Sequence, residues 1–278
     1  MGIVGLGLIG GSLGLELRSQ RLRVLGVSRQ EEVCEIALRR GIVDAASVNL
    51  ALLRDADVIF VCTPLHAIAP IVEKLTPHLA PETIITDVGS VKAPVLREVM
   101  PLWPNFVAGH PMTGTAQQGV HAAQFGLFVN TPYVITPVAE TPTAAMEAVE
   151  EIARSLGCQL YRCSPETHDR AVAWISHLPL FVSAALLDTC LGETDAAVLQ
   201  LAQKFASSGF RDTSRVGGGN PVLGEAIAQY NREELLRSLY AYRHNLDQFI
   251  DTIEKQDWEH LKHRLQVTEA ERSKFLDP

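Results

Sequence analysis

The chain lacks a Cys-x-x-Cys pair. Its five cysteines, Cys34, Cys62, Cys158, Cys163 and Cys190, stand apart and leave an odd one over, which suits reduced thiols better than a disulfide framework and suggests no metal site. It also lacks a basic excess: 24 Lys and Arg face 32 Asp and Glu, for a net charge of −8. A nucleic-acid role is disfavoured, because displacing phosphate counterions requires a basic patch; any anionic ligand must be met by a few placed arginines. No unbroken apolar run of about 18 residues signals a membrane span, and no internal repeat or low-complexity segment appears. A glycine-rich run begins at residue 5, leaving no room ahead of it for a signal or transit peptide, so a cytoplasmic protein is expected. With 278 residues, 47% of them hydrophobic, the chain can bury a core unaided.

The run itself is Gly5-Leu6-Gly7-Leu8-Ile9-Gly10. It follows strand-like Ile3 and Val4 and precedes an apolar helical pattern from Leu13 to Leu17, the setting in which G-x-G-x-x-G points to a dinucleotide. Gly5 permits the tight turn, Gly7 lets backbone approach a pyrophosphate, and Gly10 lets helix and strand pack closely. The helix N-terminus, with Leu8 and Ile9, then offers free N–H groups to the phosphates.

Short apolar runs alternate with helical patterns up to about residue 163, predicting an α/β Rossmann-type, doubly wound, mostly parallel sheet. Strands are expected at 3–5, 23–27, 58–62, 83–86, 106–108, 133–136 and 159–163, with helices at 31–40, 65–75 and 142–156. Beyond Ser164-Pro165 the strand signal ends. Helical patterns at 166–190, 193–207, 222–229, 232–253 and 257–274 predict an all-helical second domain, so the expected division is 1–164 and 165–278. Leu235, Leu239, Leu246, Phe249 and Ile253 recur at helical spacing and predict buried faces. So small a helical domain cannot cover all of them alone, and a homodimer is expected.

Where a carboxylate would hold the adenosine ribose of NAD, about 20 residues past the glycines, this chain has Ser28-Arg29-Gln30. A hydroxyl and a guanidinium can donate to a 2′-phosphate, so NADP is expected. Ser28 and Glu31 also read as a capping box. Ligands bind beyond the carboxyl ends of strands, which singles out three segments. Thr63 and Pro64 form cofactor wall. Asp87-Val88-Gly89-Ser90-Val91-Lys92 includes Ser90, which also reads as N-cap of a helix at 91–100. Gly109-His110-Pro111-Met112-Thr113-Gly114 carries His110, a proton acceptor competent near neutral pH. His177 lies two residues before Pro179, where a helix kink is expected. Arg211 and Arg215 stand in a glycine-bordered turn that suits a carboxylate.

Together and in order, these segments resemble the prephenate/arogenate dehydrogenases of tyrosine biosynthesis, closest to the cyanobacterial arogenate dehydrogenases. The likeness covers nearly the whole chain and includes Gly11-Ser12, Ser176-His177-Leu178-Pro179 and Arg211-Asp212-x-x-Arg215. The resemblance implies oxidative decarboxylation of a cyclohexadienol to an aromatic ring. His110 would take the C4 hydroxyl proton as C4 hydride passes to the nicotinamide. Ser90 would orient substrate and cofactor, His177 would lie near both, Arg215 would hold a substrate carboxylate, and Thr113 and Gly114 would line the substrate. Many prephenate-using members carry an acidic residue soon after the His-Pro-x-x-Gly segment, where this chain has Thr115-Ala116-Gln117-Gln118. The arogenate expectation rests on overall likeness, with prephenate or dual cyclohexadienyl use as the alternative. Two rivals remain. A β-hydroxyacid or 6-phosphogluconate type enzyme needs a catalytic lysine on the helical domain, yet Lys204, Lys255, Lys262 and Lys274 lack the glycine-flanked setting. A non-catalytic NADP sensor would not need His110, Ser90, His177 and Arg215 together.

Overall fold

The computed structural model describes residues 1–115 and 117–276. Its main sheet has six parallel strands: β1 (Gly2–Val4), β2 (Leu25–Val27), β3 (Ala45–Ser47), β4 (Val58–Val61), β5 (Ile84–Asp87) and β6 (Phe106–Val107). Their spatial order, β3-β2-β1-β4-β5-β6, is doubly wound and places the topological switch between β1 and β4. Side chains alternate across the sheet. Ile3, Val58 and Phe60 pack with Leu13 and Leu17 of α1 (Leu8–Ser19) and Ile36 of α2 (Glu31–Arg39). Val4, Ile59 and Val61 pack oppositely with Ile68 and Val72 of α3 (Leu65–Leu75) and Val95 and Val99 of α4 (Ala93–Val99). Both faces are covered, which is why the strands read as unbroken apolar runs. β3 escaped the sequence reading because Ala45-Ala46-Ser47 has no β-branched or aromatic residue to mark it.

The single sheet expected from sequence is in fact two. β7 (Gly109–Pro111) pairs antiparallel with β8 (Pro132–Ile135), which pairs parallel with β9 (Gln159–Arg162), and these three form a separate sheet. The break lies at Ala108 and has an identifiable cause. The Asp87 carboxylate at the end of β5 accepts the Gly109 N–H at 3.3 Å, and the Lys92 ammonium donates to the Gly109 carbonyl at 2.7 Å. Side chains thus occupy the backbone groups that would have prolonged the β5–β6 ladder. Helix α5 (Thr143–Ser155) covers this small sheet through Ala145, Val149 and Ala153, packed on Tyr133 and Ile135.

Two helix starts differ from expectation. The capping box at Ser28 does not form: α2 has Gln30 as N-cap without a side-chain bond, and Ser28 Oγ accepts only from the Gln30 N–H at 3.4 Å. Ser90 does not cap the next helix either, because α4 starts at Ala93 with Lys92 as N-cap. Its free N–H groups are met instead by the carboxylate of Asp169, 76 residues further along the chain.

The helical half begins with α6 (Pro165–Val172), capped by Ser164, and runs through a π-helical turn (Ala173–His177) into α7 (Leu178–Leu191). The expected kink is this π turn. Pro179 has no N–H to give, and the widened turn before it absorbs the lost bond. The stretch Pro165–Leu191 is long and apolar enough to cross a membrane. It nonetheless carries His168, Asp169 and His177 buried in polar contacts. α8 (Ala196–Phe205), α9 (Ser208–Ser214) and α10 (Pro221–Tyr230) follow. The expected glycine-bordered turn at 209–215 is therefore mostly helix. Helix α11 (Arg232–Glu254) leads into α12 (Trp258–Glu271) and α13 (Ser273–Leu276).

Contacts divide the chain into a compact unit Met1–Arg232 and a second unit Glu233–Pro278. Within the second, Leu246, Ile250 and Ile253 are about half exposed, at 46%, 47% and 50%. Within the first, Leu191, Phe205 and Val222 are more than half exposed. Of the residues expected to be buried, Leu235 is, at 4% exposure, whereas Leu246 and Ile253 are left open among the described residues.

The glycine turn yields a stability prediction. A Cβ at Gly10 would lie 2.0 Å from the Gly5 carbonyl oxygen, a backbone atom that cannot step aside. Gly10→Ala should lower unfolding stability by roughly 1–3 kcal/mol, the usual cost of overpacking. A denaturation midpoint equal to wild type would show that strand and helix separate freely here.

Candidate active site

The switch point gathers the ends of β1, β2 and β4. Gly5 has φ of +96°, a left-handed conformation that side chains resist. A Cβ there would also strike the Cys62 carbonyl at 2.4 Å. Among the described residues nothing lies within 4 Å of a Cβ built on Gly7, the N-cap of α1, and no side chain caps that helix. The first turn, with Leu8, Ile9 and Gly10, therefore presents uncapped N–H groups to an open cradle, which fits a pyrophosphate. Thr63 follows β4, its hydroxyl buried without a hydrogen-bond partner among the described residues, and Pro64 is N-cap of α3. Ser28 and Arg29 follow β2. Arg29 is exposed and makes no ion pair or hydrogen bond among the described residues.

A polar cluster is built on the next strand ends. Asp87 and Lys92 are both fully buried and paired, and Asp87 also accepts the Gly89 N–H at 2.8 Å. Burial pulls the Lys92 ammonium below its ordinary value, against the opposing pull of Asp87. Because Lys92 holds the Gly109 carbonyl, it sets where the next residue, His110, stands. His110 is partly exposed, and its Nδ1 meets His168 Nε2 at 2.9 Å. His168 Nδ1 in turn meets Asp169 Oδ1 at 2.8 Å. The backbone carbonyl of Asp169 accepts from Asn231 Nδ2 at 2.8 Å, and Asn231 Nδ2 lies 3.1 Å from His177 Nδ1.

Ser90 Oγ and His177 Nε2 are buried here without partners among the described residues, as are Thr86 Oγ1 of β5 and Tyr133 Oη of β8. Buried polar groups are normally satisfied, so the orphans at Ser90 and His177 mark where a ligand would supply the missing bonds. Burial, with His168, Lys92 and His177 adding to it, holds His110 well below its ordinary 6.5. Burial likewise lowers His177 to about 4. Both rings are therefore neutral at pH 7, and a neutral imidazole can accept a proton.

The remaining expected site residues are placed less tightly. The Thr113 hydroxyl donates to the Leu127 carbonyl at 2.8 Å, so its polar function is structural here. Gly114 is exposed with open space about it. Ala116 lies outside the described residues. Arg211 is exposed and paired with its neighbour Asp212. Arg215, exposed just past α9, has no ion pair or hydrogen bond among the described residues. His168, Asp169 and Asn231 were not singled out in the sequence. No motif marks them, since their roles arise from contacts spanning 58 to 77 residues of chain.

Residues 13–162 match the prephenate dehydrogenase nucleotide-binding domain, and residues 164–267 match the prephenate dehydrogenase dimerization domain. The chain belongs to the prephenate dehydrogenase family. It is 31% identical over 266 residues to the prephenate dehydrogenase of Bacillus subtilis, covering 93% of this chain and 71% of that one. It is 28% identical to the cyclohexadienyl dehydrogenase of Zymomonas mobilis, covering 97% and 94%. Among solved structures, Synechocystis arogenate dehydrogenase superposes with a TM-score of 0.87 at 51% identity, covering 99% of each chain. Prephenate dehydrogenase from Aquifex aeolicus, in complex with hydroxyphenyl propionate and NAD+, superposes with a TM-score of 0.93 at 26% identity, covering 99% and 97%.

The histidine burial makes a pH prediction. The folded value of His177, about 4, lies below its ordinary 6.5. Between these values the unfolded chain binds a proton that the folded chain refuses, so stability falls as pH drops from 6.5 towards 4. At about 1.4 kcal/mol per unit this amounts to roughly 3 kcal/mol. His177→Asn keeps an acceptor for Asn231 and does not titrate. Its melting temperature should decline less steeply than wild type across that window, and parallel curves would refute the assignment.

Proposed function

We propose that this family member is an NADP-dependent arogenate dehydrogenase, converting L-arogenate to L-tyrosine with loss of carbon dioxide. Prephenate is the alternative substrate. The observation that carries the reading is His110 Nε2: it belongs to a neutral, partly exposed imidazole whose other nitrogen is already engaged, and it lacks a partner among the described residues. The 51% identity to Synechocystis arogenate dehydrogenase over 99% of the chain favours arogenate over prephenate. The glycine turn, Thr63 and Pro64 would hold the nicotinamide dinucleotide, which when bound accepts hydride from substrate C4.

The protein's part is proton handling and orientation. His110 Nε2 takes the C4 hydroxyl proton as C4 is oxidised, assistance typically worth about 10²–10⁴-fold. Breakage of the bond to the ring carboxylate then pushes its electron pair through the ring onto that oxygen, completing the aromatic system. The phenolate oxygen recovers the proton from His110, so turnover needs no net proton release. Ser90 Oγ and His177 Nε2 gain partners from bound ligand, which orients it. Arg215, lacking an internal partner among the described residues, meets a substrate carboxylate by a charge-assisted pair. Thr113 and Gly114 shape the wall beside it. Arg29 and Ser28 meet the 2′-phosphate, since no acid stands there to repel it. The chain divides functionally near residue 164. The uncovered apolar faces of the helical half, which matches a dimerization domain, join two copies into a homodimer.

Absorbance of the reduced nicotinamide tests this directly, with arogenate or prephenate supplied against NADP or NAD. The highest kcat/KM is expected for arogenate with NADP, and no turnover with any pair would refute the reading. His110→Ala should lower kcat by about 10²–10⁴-fold with little change in substrate affinity; turnover near wild type would remove His110 from catalysis. Arg29→Ala should raise KM for NADP far more than for NAD, and equal effects would remove the basis for the NADP assignment.

A further inference from the structure

His168 and Asp169 are nearly inaccessible, at 2% and 4% exposure. The Asp169 carboxylate receives the Lys92 N–H at 2.7 Å, the Ala93 N–H at 2.8 Å and His168 Nδ1 at 2.8 Å. A carboxylate accepts and does not donate, so His168 Nδ1 carries its hydrogen. With His168 neutral, that is its one N–H, and Nε2 is a bare acceptor. Its neighbour at 2.9 Å, His110 Nδ1, must then be the donor. The hydrogen of neutral His110 accordingly sits on Nδ1, and Nε2 keeps the lone pair. The chain Asp169, His168, His110 selects the one tautomer that can act as base at Nε2.

We infer that His168 and Asp169 are positioning residues for the reaction: they lock His110 in its Nδ1–H form and share the charge while His110 carries the substrate proton. The inference rests on the proposed role of His110 as base. When His110 Nε2 takes the hydroxyl proton, the ring donates its Nδ1–H towards His168 Nε2. Passage of that proton leaves His110 neutral and makes His168 an imidazolium against the Asp169 carboxylate. The reverse shift returns the proton when the phenolate forms, so every proton is accounted for without solvent. The other titratable groups facing this chain among the described residues are Lys92, paired with Asp87 on the β5 side, His177 on the π turn, and Cys163 beside Asp169. Lys92 is engaged by Asp87 and Gly109, and His177 by Asn231.

A direct test uses the wild-type protein. Long-range proton–nitrogen correlation NMR with nitrogen-labelled histidine, with the His110 ring assigned by its absence in His110→Asn, should show hydrogen on Nδ1 and a bare Nε2. An Nε2–H tautomer would overturn the inference whatever any variant does. In kinetics, His168→Leu should lower kcat at least about 10²-fold, by analogy with the loss of an orienting group in a catalytic triad, while KM moves less than about threefold. His168→Gln, whose amide oxygen can still accept from His110 Nδ1–H, should recover part of the loss. A His168→Leu kcat within about threefold of wild type would count equally against the inference. Should His110→Ala retain turnover, the base assignment fails, while the tautomer measured by NMR still reports on the hydrogen-bond chain.

Discussion

A fully buried Asp87–Lys92 pair organises everything downstream of β5. Burying two charges is costly, and removing one partner of such a pair typically costs about 3–5 kcal/mol, because the other is left uncompensated. The structure spends this pair on geometry. Asp87 takes the Gly89 and Gly109 N–H groups, and Lys92 takes the Gly109 carbonyl. Between them they end the large sheet, start the small one, and place His110 where the chain crosses from one to the other.

Asp169 performs the complementary task from the helical half. It supplies the cap that α4 lacks locally, and with the same oxygen it holds His168. The start of α4 and the placement of His168 against His110 therefore share one carboxylate. The π turn just beyond it brings His177 onto Asn231, and Asn231 returns to the backbone of Asp169. Among the described residues this cluster leaves Ser90 Oγ, His177 Nε2 and His110 Nε2 without partners.

Much of this was legible in the residues. The glycine turn, every strand of the doubly wound sheet except β3, the change to helices after Ser164 and the candidates His110, Ser90 and His177 all followed from local signals: period, turn chemistry and motif order. Local signals also misled. Ser28 with Glu31 and Ser90 before Val91 have the composition of helix caps, yet the α2 cap goes unfilled and the α4 cap comes from Asp169. The split of the sheet was invisible because Phe106–Val107 and Gly109–Pro111 are consecutive strands with nothing between them but Ala108.

The sequence by itself determined the class of each half and singled out His110 as the candidate base, because a G-x-G-x-x-G turn, apolar periodicity and a His-Pro step are short-range properties. Only the tertiary structure decided where the main sheet stops, what caps α4 and which nitrogen of His110 is free. Those outcomes depend on hydrogen bonds between residues 17 to 77 positions apart, and no local pattern encodes a partner at that distance. The contacts from Asp169 to His168 to His110 exist only once the three are brought within 3 Å of one another in turn.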